Sequence, residues 1–344
     1  MKKLKIAVAG LGRTGWRNHL ANLAKLPDLY EICGVCDAME SRRKEAESTF
    51  GCASYANLES MLREDGIEWV VVATPQILHH EQTIAALRAG KNVICEKPMA
   101  VNSSQAEEMA AVASETGRHL TVFHNLRYAP DFALVRKVIS TGKLGRILMV
   151  KIHRNDFSRR WDWQTLKKFG GGNLANQGPH VLDHALCLMN TTEPGIVARA
   201  EAAVTLGDAD DHVKILLHAK SSPLVDIEIS SADATGADRW KVYGTSGGLV
   251  GDGVQFQCKY FDPAELPERT VQETPPLDRT YNSETIPWRE ESLSLTEAEV
   301  TRPLPLDYYT DLHRAICNGN PPPISTAHAL AIMRLMDRVW ETAI

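Results

Sequence analysis

Along the first third of the chain, short apolar runs carry no polar alternation inside them: "KIAVAG" (5–10), "EICGVCD" (31–37), "EWVVVATP" (68–75), "KNVICEKP" (91–98) and "HLTVFHN" (119–125). Between them lie segments with helical texture, "TGWRNHLANLAKL" (14–26), "SRRKEAESTF" (41–50), "HHEQTIAALRAG" (79–90) and "SSQAEEMAAVASETG" (103–117). In the last of these, Ser104 and Glu107 stand at capping-box spacing and Gly117 suits the helix end. Continuous β-branched runs separated by amphipathic helices predict a parallel sheet covered on both faces, doubly wound.

Beyond about residue 124 the texture changes. "VDIEIS" (225–230) alternates apolar and polar residues, which predicts a half-buried antiparallel strand with one face toward solvent. "RILMVKIH" (146–153), "VKILLHAK" (213–220) and "RWKVYGTSGGLV" (239–250) also read as strands, the last turning at Gly247–Gly248. Residues 262–306 are rich in Pro, Glu and Thr with weak periodicity and predict no element. Two helices follow, "DYYTDLHRAICNG" (307–319) and "AHALAIMRLMDRVWETA" (327–343). The expectation is an α/β Rossmann domain over 1–123 and an α+β domain over 124–344, with a largely antiparallel open-faced sheet. The terminal helices are free to pack back on the first domain.

A chain of 344 residues accommodates two such domains, and a net charge of −5 offers no basic footprint for nucleic acid or an anionic membrane. No apolar run approaches the ~20 residues of a spanning helix. "MKKLKIAVAGLG" places lysines before a run too short for a secretion signal, so the chain is expected to be cytosolic. Seven scattered cysteines fit reduced core thiols. Cys33-x-x-Cys36 on a strand would point to opposite faces, so it is expected to pack rather than to act in redox chemistry.

Gly10, Gly12 and Gly15 form G-x-G-x-x-G between the first strand and the first helix, with Asp37 at the end of the second strand. This is the context a dinucleotide-binding turn requires: glycines admit the pyrophosphate, the helix N-terminus supplies N–H donors, and the acid meets the ribose. Asp37 favours NAD, because its carboxylate repels a 2′-phosphate. Arg42 and Arg43, just beyond it, offer that phosphate an alternative, so NADP is the less favoured cofactor.

Other positions carry candidate chemistry. "VICEKPMA" (93–100) runs an apolar strand into Glu96, Lys97 and Pro98, at the strand ends where open α/β sheets bind ligands. Asn176, His180 and His184 share one helix face, with Asp183 beside them. His180-x-x-x-His184 has the spacing of a zinc pair but lacks a glutamate base, so no metal is expected. "RNDFSRRWDWQTLKKF" (154–169) joins arginines with Trp161 and Trp163, and aromatic faces with charged groups grip polyhydroxylated rings. The competing reading is a lid or subunit contact.

These pieces resemble the Gfo/Idh/MocA family, which includes glucose–fructose oxidoreductase and inositol dehydrogenase. The likeness is carried by "AGLGRTG" (9–15), "ATPQILHH" (73–80), "AGKNVICEKPMA" (89–100), "NLRY" (125–128), "GGGNLANQGPHVLDHAL" (170–186) and "PPPISTAHALAIMRLMDRVW" (321–340). The resemblance implies a dehydrogenase of a sugar, polyol or glycoside, in which Lys97 contacts the reacting hydroxyl and His180 faces the substrate carbinol. It places Gly10, Gly12, Arg13, Thr14, Gly15, Asp37, Thr74, Pro75, His79, Glu96, Lys97 and Asn125 around the dinucleotide. Substrate would meet Lys97, Arg127, Tyr128, Trp163, Asn176 and His180. Many relatives carry Asp at the place of Asn176, and here an amide is left to orient His180. Two alternatives remain at this point, an enzyme that recycles tightly held NAD on glycosides and a non-catalytic NAD sensor. A homodimer or homotetramer is expected, with no nucleic-acid or membrane partner.

Overall fold

The computed structural model describes residues 2–275, 279 and 281–342. Its first sheet is built from β1 (Leu4–Ala9), β2 (Tyr30–Cys36), β3 (Ala53–Tyr55), β4 (Trp69–Val72), β5 (Asn92–Cys95) and β6 (Leu120–Val122). All pairings are parallel and the spatial order is β3-β2-β1-β4-β5-β6. The chain order reverses between β1 and β4, which creates the crevice where such sheets bind nucleotides. Ile6, Val8, Val71 and Ile94 enter one core, while Ala7, Ala9, Val70, Val72, Val93 and Cys95 enter the other. Both faces are therefore dry, which is why these strands show no alternation in sequence. The helices of this half are α1 (Ala21–Leu23), α2 (Glu40–Phe50), α3 (Leu58–Leu62), α4 (His79–Arg88) and α5 (Ser103–Thr116). A π-helical segment, Gly15–Leu20, precedes α1, within the predicted first helix.

After α6 (Pro130–Ser140) the second sheet comprises β7 (Ile147–Asn155), β8 (Gly195–Glu201), β9 (His212–His218), β10 (Leu224–Ser230), β11 (Trp240–Gly244), β12 (Gly247–Gly251), β13 (Gln255–Tyr260) and β14 (Arg289–Ser294). The order is β14-β13-β12-β11-β7-β10-β9-β8, antiparallel except where β7 and β10 run parallel. Helix α7 (Asn173–Met189) packs on β10, and α10 (Thr326–Trp340) packs on α7 and β8. Helices α8 (Glu297–Thr301) and α9 (Leu304–Cys317) complete the described fold. Among the described residues, no helix is long and apolar enough to cross a membrane. All seven cysteines are free, with Cys36 buried and Cys33 half-buried on β2.

Several expectations need correction. Strand β10 is central, and Asp226 on its nominally wet side is buried, held by Lys214 and Lys151 whose stems cover it. Asn102, not Ser104, caps α5, its side chain accepting the Gln105 N–H. The β11–β12 hairpin turns at Thr245–Ser246, leaving Gly247 in a strand where a Cβ would sit 2.4 Å from the Lys259 carbonyl oxygen. The stretch 262–306 contains β14 and α8. The charged "REESLS" of β14 lies at a sheet edge, where apolar periodicity is weakest. Residues 276–278 and 280 of that stretch, and Ala343 at the end of the last predicted helix, lie outside the described residues. Helices α3 and α6 and strands β3, β8 and β13 carried no prediction.

Helix α9 follows the second sheet in sequence yet packs on the first. Tyr308, Tyr309 and Leu312 are fully buried in one core with Leu4, Ile6, Leu20 and Leu23. The Tyr30 hydroxyl donates to the Tyr309 carbonyl at 2.7 Å. Leu312→Ala is expected to lower unfolding free energy by about 2–5 kcal/mol, read by urea denaturation. A change below ~1 kcal/mol would mean that α9 only rests on this core.

Candidate active site

The carboxyl ends of β1, β4, β5 and β6 meet at the switch point. Gly10 has φ +92°, and a Cβ there would lie 2.6 Å from the Ala73 carbonyl oxygen. A Cβ on Gly15 would lie 1.8 Å from the Gly10 oxygen. These two glycines let the turn pack against β4 and let the helix start against the turn. Gly12 differs, since a Cβ there meets nothing within 4 Å. That open space has the form of the cradle a pyrophosphate requires, and Arg13 and Thr14 follow it in the chain. Asp37 fixes the cradle: its Oδ2 accepts the Leu11 N–H and its Oδ1 the Met39 N–H, each at 2.8 Å. Each oxygen keeps a lone pair for a ribose hydroxyl. Arg42 reaches Asp37 Oδ2 at 3.5 Å, and Arg43 donates to the carbonyls of Asp37 and Ala38.

The next loops are held to one another. Thr74 Oγ1 donates to Gln82, and Pro75 is exposed at the turn. His79 is buried with both ring nitrogens 2.9 Å from backbone carbonyls, Pro98 and Thr74. It staples the 74–79 loop to the 96–100 loop, with both ring nitrogens engaged by backbone. Burial lowers its pKa while the two carbonyls favour its charged form. Glu96 is likewise a tether. Its Oε1 lies 3.0 Å from His19 Nε2 and its Oε2 accepts the Lys97 N–H at 2.9 Å. His19, on the π-helical turn, is fully buried, and its Nδ1 lies 2.6 Å from the Tyr309 hydroxyl.

With its backbone so fixed, Lys97 extends toward α7 and donates from Nζ to the Asn176 carbonyl at 2.8 Å. Pro179, inside α7, removes an N–H and crowds the preceding turn, where that carbonyl lies. The Lys97 side chain keeps an opening to solvent, but the surrounding protein desolvates its amine and lowers its pKa; Glu96 opposes this and Arg13 adds to it. His180 is buried beside it, with Nδ1 unpartnered and its pKa held well below the usual value by desolvation and then by Lys97. His124, at the end of β6, is a third member that sequence reasoning left aside. It is buried, its Nδ1 has no partner, and desolvation lowers its pKa to about 4. Its one sequence signal is its place just past the last apolar strand of the parallel sheet. Asn125 follows it in a short turn.

The Asn176 side chain makes no hydrogen bond to His180 among the described residues. It lines a cavity of about 480 Å³ together with Asn173, Gln177, Arg154, Asn155 and Ser231. Two expected substrate contacts turn elsewhere. Arg127 forms a two-pronged ion pair with Asp183, which also receives His328 at 2.9 Å. Tyr128 packs edge-on against Tyr308. Trp163 is 53% exposed and does not line the cavity, whereas Asp156, Ser158 and Arg160 of the same segment do. His184 stacks on Phe132 at 4.0 Å and points Nε2 at the Leu126 carbonyl, so the zinc-spaced pair does not converge. Asp183, Cys187 and His328 lie close together, but Arg127 already satisfies the carboxylate.

A parallel sheet with a glycine turn at its switch point, and a desolvated lysine facing a histidine from a second sheet's helix, define a dinucleotide-dependent dehydrogenase. Residues 4–124 match the model of the oxidoreductase family with an NAD-binding Rossmann fold, and residues 132–250 match the GFO/IDH/MocA C-terminal domain. An uncharacterised oxidoreductase of Schizosaccharomyces pombe is 30% identical over 75% of this chain and 72% of its own length. A scyllo-inositol 2-dehydrogenase (NADP(+)) of Bacillus subtilis is 26% identical over 99% of this chain and 94% of its own. The crystal structure of an NAD-binding protein from Listeria innocua superposes with a TM-score of 0.81 at 25% identity, covering 100% of this chain and 98% of that one. The chain belongs to the Gfo/Idh/MocA oxidoreductase family.

Two outcomes follow from these buried charges. Asp183→Asn is expected to cost about 3–5 kcal/mol, since it leaves Arg127 buried without its partner; a loss under ~1 kcal/mol would contradict the buried pair. His124 is neutral in the fold, whereas the unfolded chain binds a proton below about pH 6.5. Its contribution is complete above that value and lost as pH falls through 6.5 to about 4. His124→Gln should remove a measurable part of that slope, up to about 3 kcal/mol across the window, in denaturation curves taken from pH 7 to 4. An unchanged slope would contradict a buried neutral ring.

Proposed function

We propose that the protein is an NAD-dependent dehydrogenase acting on a hydroxyl carbon of a sugar, polyol or glycoside. The observation that carries this reading is the Lys97 amine, desolvated and pinned at 2.8 Å to the Asn176 carbonyl, beside the dinucleotide turn. Desolvation makes an amine so held give up its proton more readily than a free lysine, and once unprotonated it keeps a lone pair while one N–H is spent on the carbonyl. It therefore accepts the substrate hydroxyl proton at Nζ. His180, neutral by burial, orients the same hydroxyl through its free ring nitrogen. The nicotinamide, when bound, supplies the hydride acceptor. The Gly12 cradle, Asp37 and the Thr74–Pro75 turn would hold the dinucleotide, and the stapled 74–79 and 96–100 loops fix its reactive end relative to Lys97.

NAD is favoured over NADP because a 2′-phosphate at the Asp37 oxygens would meet a carboxylate. The B. subtilis relative is a scyllo-inositol 2-dehydrogenase (NADP(+)), so the two cofactors are compared directly. NAD should bind at least ~10-fold more tightly than NADP, about 1.4 kcal/mol. Asp37→Ala should weaken both, because the carboxylate also holds the glycine turn, and should narrow the gap. Equal affinities in the unmodified protein would overturn the choice.

Lys97→Met should retain NAD binding and lower turnover by about 10²–10⁴ on whichever member of a sugar, inositol and glycoside panel reduces NAD. In the unmodified enzyme, activity should rise with pH through a group titrating below the ordinary lysine value, and that limb should vanish in the variant. Near-normal turnover would return Lys97 to a structural role.

A further inference from the structure

Arg154 stands out in the cavity that Asn176 lines. It belongs to the inward row of β7, following Val150 and Ile152, both fully buried. Across the sheet its register partner is Ile229, also buried. An i, i+2, i+4 row faces one side of a sheet, so the arginine projects where the strand otherwise supplies core. Its Nε and Nη2 are buried, and the guanidinium makes no hydrogen bond or ion pair among the described residues.

The other charges around the cavity are accounted for. Arg160 is bound to Asp162 and Gln164. Arg239 lies 3.0 Å from Asp131. Asp252 Oδ1 accepts the N–H groups of Val254 and Gln255, and Asp156 is exposed at the rim, where Ser158 donates to it. Arg154 is thus the one arginine lining the cavity without a carboxylate partner among the described residues. Arginine does not shed its proton, so burial leaves it charged. A buried charge without a partner is costly, and a planar fork of donors matches an oxyanion.

We propose that the substrate is an anionic carbohydrate or polyol, carrying a carboxylate or phosphate that Arg154 receives. This rests on the reading of the cavity as the substrate site. The reacting hydroxyl lies at Lys97 and the anionic group on the side of the cavity formed by β7. Ser231, whose oxygen accepts from Asn173 Nδ2, keeps its hydroxyl proton to donate to that group, and the unpartnered Asn155 Oδ1 is placed to accept from a sugar hydroxyl.

The test uses matched neutral, acidic and phosphorylated members of hexose, pentose and inositol series. Each is measured for binding by calorimetry in the presence of NADH and for turnover with NAD. The expected result is a preference of about 10–100-fold for one anionic class. Arg154→Gln should lose that preference while retaining NADH affinity and neutral-ligand binding, and Arg154→Lys should keep part of it. Whether carboxylate or phosphate members carry the preference identifies the group. Binding that favours neutral members, no Arg154-dependent binding of any anionic member, or a preference that survives Arg154→Gln would each overturn the inference. Arg154-dependent anion binding without turnover of any member would instead overturn the dehydrogenase reading and leave the anion site standing.

Discussion

A partly desolvated lysine amine at the tip of a parallel strand is the constraint around which this molecule is arranged. The amine loses hydration, and only a fixed acceptor and a fixed backbone make that tolerable. The acceptor is the Asn176 carbonyl, presented by a helix of the other sheet. The backbone is fixed from beneath by Glu96, whose two oxygens join the π-helical turn at His19 to the Lys97 N–H. His19 in turn rests on Tyr309 of α9, so a helix from the far end of the sequence supports the reactive strand tip.

The same logic explains why so many polar side chains near the site are not free. Asp183, Arg127 and His328 lock α7 to the turn after β6 and to α10, which sets the distance between Lys97 and His180. His79 locks the β4 and β5 loops. Two charged groups are left over: Lys97, which meets the Asn176 backbone carbonyl, and Arg154, which lines the cavity that Asn176 also borders. One has an adjustable proton and the other does not, which suits chemistry at the first and recognition at the second.

Much of the fold was legible because its signals are local. The unbroken apolar runs around Val71 and Ile94 report burial on both faces, and the glycine turn followed by Asp37 reports the nucleotide crevice. The site was less legible because a side chain's partner is a tertiary fact. Nothing local distinguishes Arg127, consumed by Asp183, from Arg154, which has no such partner. Glu96 and His79 sit in motifs that line a cofactor site by sequence but turn their side chains inward to hold backbone. His124 carries no local signal beyond its place after a strand, and its burial next to Lys97 and His180 emerges only when the two sheets meet.

The central claim is that Lys97 is poised by desolvation, and its amine can be observed directly. Nitrogen-15 lysine-labelled protein, titrated by NMR with Lys97→Met as the assignment control, reports the protonation of Nζ. The account predicts a midpoint clearly below the 10.5 of a free lysine. A midpoint at or above that value would show an ordinary charged lysine, and the proton-accepting role would fall with it.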